Sequence, residues 1–144
     1  MNSPKPIRVL HIAGSPETPF YHDLSLLYAS KVLHPPGFES FFAVVAPDKT
    51  WRFGTNPSAL STPNSLQDFI SLLSDFDLAV NHLFCPTGVT SYRALVEEVV
   101  GLPVVGSCAS VQAVALDKAL TKSRLAAAGI PVVPGRVVQK GETD

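Results

Sequence analysis

Apolar residues in this chain fall into short compact runs, separated by stretches with helical periodicity and punctuated by Gly and Pro. Ile7–Ala13 (IRVLHIA) runs into Gly14-Ser15-Pro16, which predicts a buried first strand followed by a loop. His22–Leu33 places Leu24, Leu27, Tyr28 and Val32 at helical spacing, opened by His22 or Asp23 and ended by Pro35-Pro36-Gly37. Phe41–Ala46 predicts a second strand closed by Pro47, and Asp48–Pro63 a long loop with anchored points. Asn64, with Gln67 three residues on, fits an N-cap for a helix burying Leu66, Phe69, Ile70 and Leu73. A strand over Leu78–Phe84, a helix over Thr90–Val100 ended by Gly101 and a brief strand at Pro103–Val105 follow. The last third predicts helices over Ser110–Leu116 and Asp117–Ala128, stopped by Gly129 and Pro131, then a strand over Val132–Gln139.

Strand–helix alternation of this kind predicts an α/β fold, an open, mostly parallel sheet with helices on both faces. No internal repeat and no low-complexity segment interrupts it. With 144 residues the chain holds one domain, or one domain and the beginning of a second. The final segment, Lys140 to Asp144, follows a strand that the first sheet does not need, so truncation is expected.

Charge changes the picture mainly by exclusion. Eleven basic residues against twelve acidic ones give a formal charge of −1, and no Lys/Arg run forms a patch. Nucleic acid and anionic membrane surfaces are therefore not expected partners. Cys85 and Cys108 stand alone, with no CxxC and no His at metal-ligand spacing, and read as reduced thiols. With a polar start and a short Ile7–Ala13 run no signal peptide is expected, and the cytoplasm is the expected location.

In an open α/β sheet, ligands bind beyond the carboxyl ends of the strands. Gly14–Tyr21, Pro47–Gly54, Phe84–Tyr92 and Gly106–Ala109 fall there, bringing Glu17, Tyr21, His22, Trp51, Arg52, Cys85, Thr90, Tyr92, Arg93, Ser107 and Cys108 towards one edge. Each has a plainer reading. His11, mid-strand, reads as a hydrogen-bonded core histidine, Cys85 as packing, and Trp51-Arg52 as an aromatic anchor beside a surface charge. Glu17 is either a ligand or a solvated loop carboxylate, and Arg93 either a surface cation or an anion contact. Lys118 and Lys122, four apart, form a solvated helix face unless Lys118, near the helix start, reaches a phosphate. The P-loop, dinucleotide and nucleophile-elbow motifs are all absent.

The segment Gly101–Pro134 carries G-x-P-x-x-G-S, a short helix, D-K-A-L-T-K and A-A-A-G-I-P. It resembles the stretch of D-alanine–D-alanine ligases, an ATP-grasp family, that links the N-terminal domain to the ATP-binding region. The resemblance extends over about Ile7 to Gln139. It implies a Rossmann-like pre-ATP-grasp unit over residues 1–108, connecting helices over 109–130 and the start of an ATP-grasp domain over 131–144. It further implies ATP and Mg²⁺ as cofactors, with metal ligands from later in the polypeptide, ATP phosphate contact by Lys118, and substrate contact by Glu17. Small-molecule amino acid and acceptor substrates and a homodimer are implied likewise.

Where those ligases carry H-G-x-x-G-E-D-G, this chain has Phe84–Ser91, keeping only Gly88. Phe20–Ala29, Pro47–Phe53 and Leu83–Leu95 resemble the D-Ala–D-Ala-ligase-like enzymes of mycosporine-like amino acid biosynthesis. That branch joins an amino acid to mycosporine-glycine: phosphorylation makes an oxygen a leaving group, and the amine displaces it. On this resemblance Glu17, Tyr21, Trp51, Arg52, Gly88, Thr90, Tyr92, Arg93 and Ser107 form the substrate side, and residues 1–144 alone are inactive. An authentic dipeptide ligase and a free-standing small-ligand-binding module are the alternatives.

Overall fold

The structure is a computed structural model and describes residues 4–142. Its centre is strand β1 (Ile7–Gly14), which pairs in parallel with β2 (Phe38–Val45) on one side and β4 (Leu78–Asn81) on the other. A central parallel strand is buried on both faces, which is why its sequence is nearly continuous in apolar residues. The register runs from Ile7 opposite Phe38 to Gly14 opposite Val45. Gly14 has φ +91°, and a Cβ there would lie 2.0 Å from the Val45 carbonyl oxygen, so only glycine fits this strand end.

The segment expected to be a loop, 48–63, contains a strand. β3 (Trp51–Gly54) runs antiparallel along the outer edge of β2, giving the order β3-β2-β1-β4 and making the sheet mixed. Its four residues, one of them glycine, are too short to show an alternating pattern. The expected strand at 103–105 is reduced to one parallel bridge, in which Ala79 donates to Pro103 O (2.8 Å) and accepts from Val105 N (2.9 Å).

Helices cover both faces, as the alternation predicts. Leu10, Ile12, Ala43 and Val45 pack on one side with Trp51, Phe69, Leu73 and Val96. Ala13, Phe42 and Val44 pack on the other with Ala29 and Leu26. Helix α1 (Pro19–Ala29) begins before the expected His22, because Thr18 caps it by accepting from Tyr21 N and Pro19 occupies the first turn. It buries the small residues Ser25 and Ala29, while Leu27 and Tyr28, expected inside, are exposed. Close approach is the reason: Ser25 Oγ accepts from Gly14 N and donates to His82 O, both at 2.8 Å.

Helix α2 (Leu66–Leu72) is capped by Ser65 with Asp68, one residue beyond the expected Asn64. Asn64 is occupied elsewhere, exchanging backbone hydrogen bonds with Trp51. Phe69 and Leu73 form its buried side, while Leu66 and Ile70 are exposed. Helix α3, residues 86–99, starts at Pro86 instead of Thr90 and holds two wide-turn stretches, Gly88–Tyr92 and Leu95–Val99. Helices α4 (Ala109–Leu116) and α5 (Lys118–Ala127) follow as expected, with Asp117 capping α5. The strand expected over Val132–Gln139 does not form. No described residue pairs with it, and an apolar run without a ladder partner has nothing to hold it extended.

Candidate functional site

The strand-end edge is built by the chain leaving β1, β4 and the 103–105 bridge. Glu17 sits exposed just past β1, its backbone N–H donating to Ser15 Oγ at 3.1 Å. Its carboxylate accepts from Thr87 N at 2.8 Å, in the first turn of α3. An acid at a helix start meets unpaired N–H groups and the positive end of the dipole, so this contact joins two strand-end loops and leaves carboxylate surface in solvent. Asn81 braces the second loop, accepting from Leu83 N (3.0 Å) and donating to Gly88 O (3.1 Å). Gly88 is a packing requirement, since a Cβ there would lie 2.4 Å from Leu83 Cβ and 2.9 Å from Cys85 Sγ.

Thr90 donates back to Pro86 O at 2.7 Å within α3. Tyr92 is half-buried, edge-on to Trp51 with ring centroids 5.4 Å apart, and burial, then Cys85, raises its phenol pKa. Tyr21, half-buried on α1, meets Phe20 edge to face. Arg52 lies on the edge strand opposite Val44, its guanidinium donating to Ser61 O at 3.3 Å. Ser107 is exposed beside Cys108, whose thiol is pulled below its ordinary pKa by Ser110 Oγ and then by Val111 N.

Two expected contacts are corrected. Trp51 is 0% exposed and stacks on Phe69 at 3.8 Å, so it offers no surface to a ligand. Its indole Nε1 has no hydrogen-bond partner among the described residues. Arg93 is 4% exposed, and its donors go to Glu97 and to the carbonyls of Val104, Val105 and Gly106. Both are scaffold. An aromatic beside a charge looks the same in sequence whether it anchors a core or faces a ligand.

Lys118 lies elsewhere. It is exposed in the first turn of α5 and lines an open hollow of about 760 Å³ with Asp117, Lys122, Gly135 and Arg136. None of the strand-end residues lines that hollow. Three cations around one hollow have the donor chemistry of a phosphate site. Among the described residues no group of three or more His, Cys, Asp or Glu is placed to hold a metal ion.

A partly buried histidine pair escaped the sequence reading. His11 Nδ1 meets His82 Nε2 at 3.0 Å, and His11 Nε2 meets Ser40 Oγ at 3.2 Å. Burial, then the neighbouring His82 and His34, lowers the His11 pKa to about 4, and burial lowers that of His82. His11 is thus the hydrogen-bonded core histidine expected. Only the parallel register, which sets Ile12 opposite Asn81, brings His82 beside it.

No family model matches the chain. It is 32% identical over 122 residues to the bifunctional enzyme MurC/Ddl of Chlamydia pneumoniae, an alignment covering 78% of this chain and 15% of that protein. It is 45% identical over 62 residues to the D-alanine–D-alanine ligase of Gluconobacter oxydans, covering 43% of this chain and 20% of that one. The chain thus spans a fifth or less of these curated relatives. Among solved structures, the D-alanine–D-alanine ligase of Coxiella burnetii matches with a TM-score of 0.70 at 19% identity, over 90% of this chain and 43% of that one. That of Aeromonas hydrophila matches with a TM-score of 0.61 at 21% identity, over 95% and 52%. No described helix is long and apolar enough to cross a membrane. In sequence the chain resembles D-alanine–D-alanine ligases, and its α/β fold is that of their N-terminal domain.

Proposed function

We propose that this chain is the N-terminal, substrate-side portion of an ATP-dependent C–N bond-forming ligase of the cytoplasm, joining an amino acid to a mycosporine-type acceptor. One observation carries the reading: Glu17, in a chain whose curated relatives are ligases, holds an exposed carboxylate at the strand-end edge, fixed by Thr87 N. A carboxylate so held is suited to receive an ammonium group, and Tyr21 on α1, Thr90 and Tyr92 on α3 and Ser107 ahead of α4 are the polar groups assigned with it. Arg52 stays a candidate on the neighbouring edge strand. Lys118, with Lys122 and Arg136 around one hollow, is assigned to nucleotide phosphate. ATP would supply the phosphoryl group that makes the acceptor oxygen a leaving group.

The units assigned are 1–108 for the substrate side, 109–130 for the connecting helices and 131–144 for the start of an ATP-grasp domain. Residues 1–3 and 143–144 of these units lie outside the described residues. On this reading a complete enzyme would take its metal ligands from further polypeptide. Residues 1–144 alone therefore hydrolyse no ATP in a coupled assay. The full-length product of the gene consumes ATP when offered mycosporine-glycine with an amino acid. The names of the curated relatives favour a second reading, a D-alanine–D-alanine ligase. ATP consumption with D-alanine and none with mycosporine-glycine establishes that reading and ends the first. Consumption with neither ends both.

A further inference from the structure

Arg93 has a place in the molecule that a core residue does not need. Its guanidinium is a planar fork of five donors, and here the fork is spread over one backbone segment. Nη1 donates to Val105 O at 3.2 Å, and Nη2 donates to Val104 O at 3.1 Å and Gly106 O at 3.2 Å. Nε donates to Glu97 Oε2 at 3.3 Å, one turn further along α3. Three successive carbonyls turned on one cation define the path by which the chain leaves the sheet after its last bridge, at Val104. Gly106, at φ +98°, completes the turn, and Ser107, Cys108 and the first residue of α4 follow immediately.

The same helix holds the other side of the crevice. Thr87 N, in the first turn of α3, binds the Glu17 carboxylate, and Arg93 lies six residues further along the same helix. One rigid element thus grips the loop after β1 and the segment before α4. We propose that Arg93 is a positioning residue, which fixes the 104–108 segment, and with it Ser107, Cys108 and the start of α4, relative to the Glu17 edge. This concerns the shape of the strand-end crevice whatever occupies it, so it stands apart from the ligase reading.

Cys108 supplies a local reporter. It is exposed while Cys85 is buried, so an aromatic disulfide reagent applied to the folded protein reads Cys108. Ser110 Oγ and Val111 N hold its thiol below the ordinary pKa, and Glu97 opposes them. Removing the guanidinium loosens the first two groups and leaves Glu97 without its counter-charge, so both changes push the thiol upward. In Arg93→Met the pH midpoint of the thiol reaction rises towards that of a free thiol. Amide exchange at 104–108 quickens by about tenfold or more, while β1 and β2 keep their protection. Arg93→Lys, whose ammonium reaches fewer of the carbonyls, gives a smaller change of the same sign in both readouts and decides the matter if the Met variant does not fold. A folded variant with the wild-type thiol profile and wild-type exchange at 104–108 overturns the proposal. So does a uniform rise in exchange across β1 and β2, or failure of both variants to fold, because Arg93 is then an ordinary part of the core.

Discussion

The sheet body and the helical pair after it are built from similar residues by different means. In the body, Leu10, Val45, Trp51, Phe69, Leu73 and Val96 are completely buried, and α2 owes its place to the Phe69–Trp51 stack. From residue 109 onwards only Ala109 is buried among the described residues, and α5 has no buried residue. Val111, Leu116, Val133 and Val137 face solvent there. A helix without packing rests on its cap and the propensities of its residues, and these are weak beside burial. The two candidate recognition sites divide along the same line, with Glu17 on the packed body and Lys118 on the loose pair.

The largest test of this contrast is Trp51→Ala. Removing a fully buried indole leaves a cavity against Phe69 and Tyr92, and the expected loss is about 3–5 kcal/mol in denaturant unfolding. Leu125→Ala, in α5, is expected to cost less than about 1 kcal/mol, since that side chain is exposed and in no described core cluster. Equal losses would break the contrast. Gly88→Ala comes next: the added methyl meets Leu83 and Cys85 inside contact distance, for a loss of about 1–3 kcal/mol. The same change at Gly129 meets no atom within 4 Å, and its cost is that of the positive φ alone.

Sequence showed the body's order better than its edges. The runs of β1 and β2 were legible because burial on both faces forces continuous apolar stretches, and Gly101 and Asp117 marked helix ends by local chemistry. β3 was missed because four residues carry no period, and Val132–Gln139 was over-read because an apolar run does not reveal whether a partner strand exists. Glu17 was found where strand-end logic put it. Trp51 and Arg93 also fell at that edge by position, but a side chain's direction depends on packing that spacing does not encode. The His11–His82 contact needed a strand register for the same reason.

Acidification acts on the body through that histidine pair. The pKa of His11 falls from 6.5 to about 4 on folding, so the unfolded chain binds its proton first as the pH drops. Stability is whole above pH 6.5, declines as the pH falls through the window down to about 4, and gains no further loss from His11 below that. The steepest slope is about 1.4 kcal/mol per pH unit for each proton bound. His82, lowered by burial, adds loss of the same sign. In urea titrations between pH 7 and 4, His11→Gln should flatten this decline, and an unchanged slope would remove the pair from the account.

The smallest effect separates the regions most cleanly, because it applies one chemical change to both. Ser65 and Asp117 each cap a helix by accepting backbone N–H groups, from Asp68 in α2 and from Ala119 and Leu120 in α5. Replacing such a cap by alanine costs a helix about 1 kcal/mol. In α2 the helix cannot fray without uncovering Phe69, so the cost of Ser65→Ala enters global unfolding as a lower denaturant midpoint. In α5 nothing buried depends on the first turn, so Asp117→Ala should leave that midpoint in place and show only as faster amide exchange at residues 119–121. A midpoint shift for Asp117→Ala as large as that for Ser65→Ala would mean that α5 unfolds together with the sheet, and that the Lys118 hollow is as firmly built as the Glu17 edge.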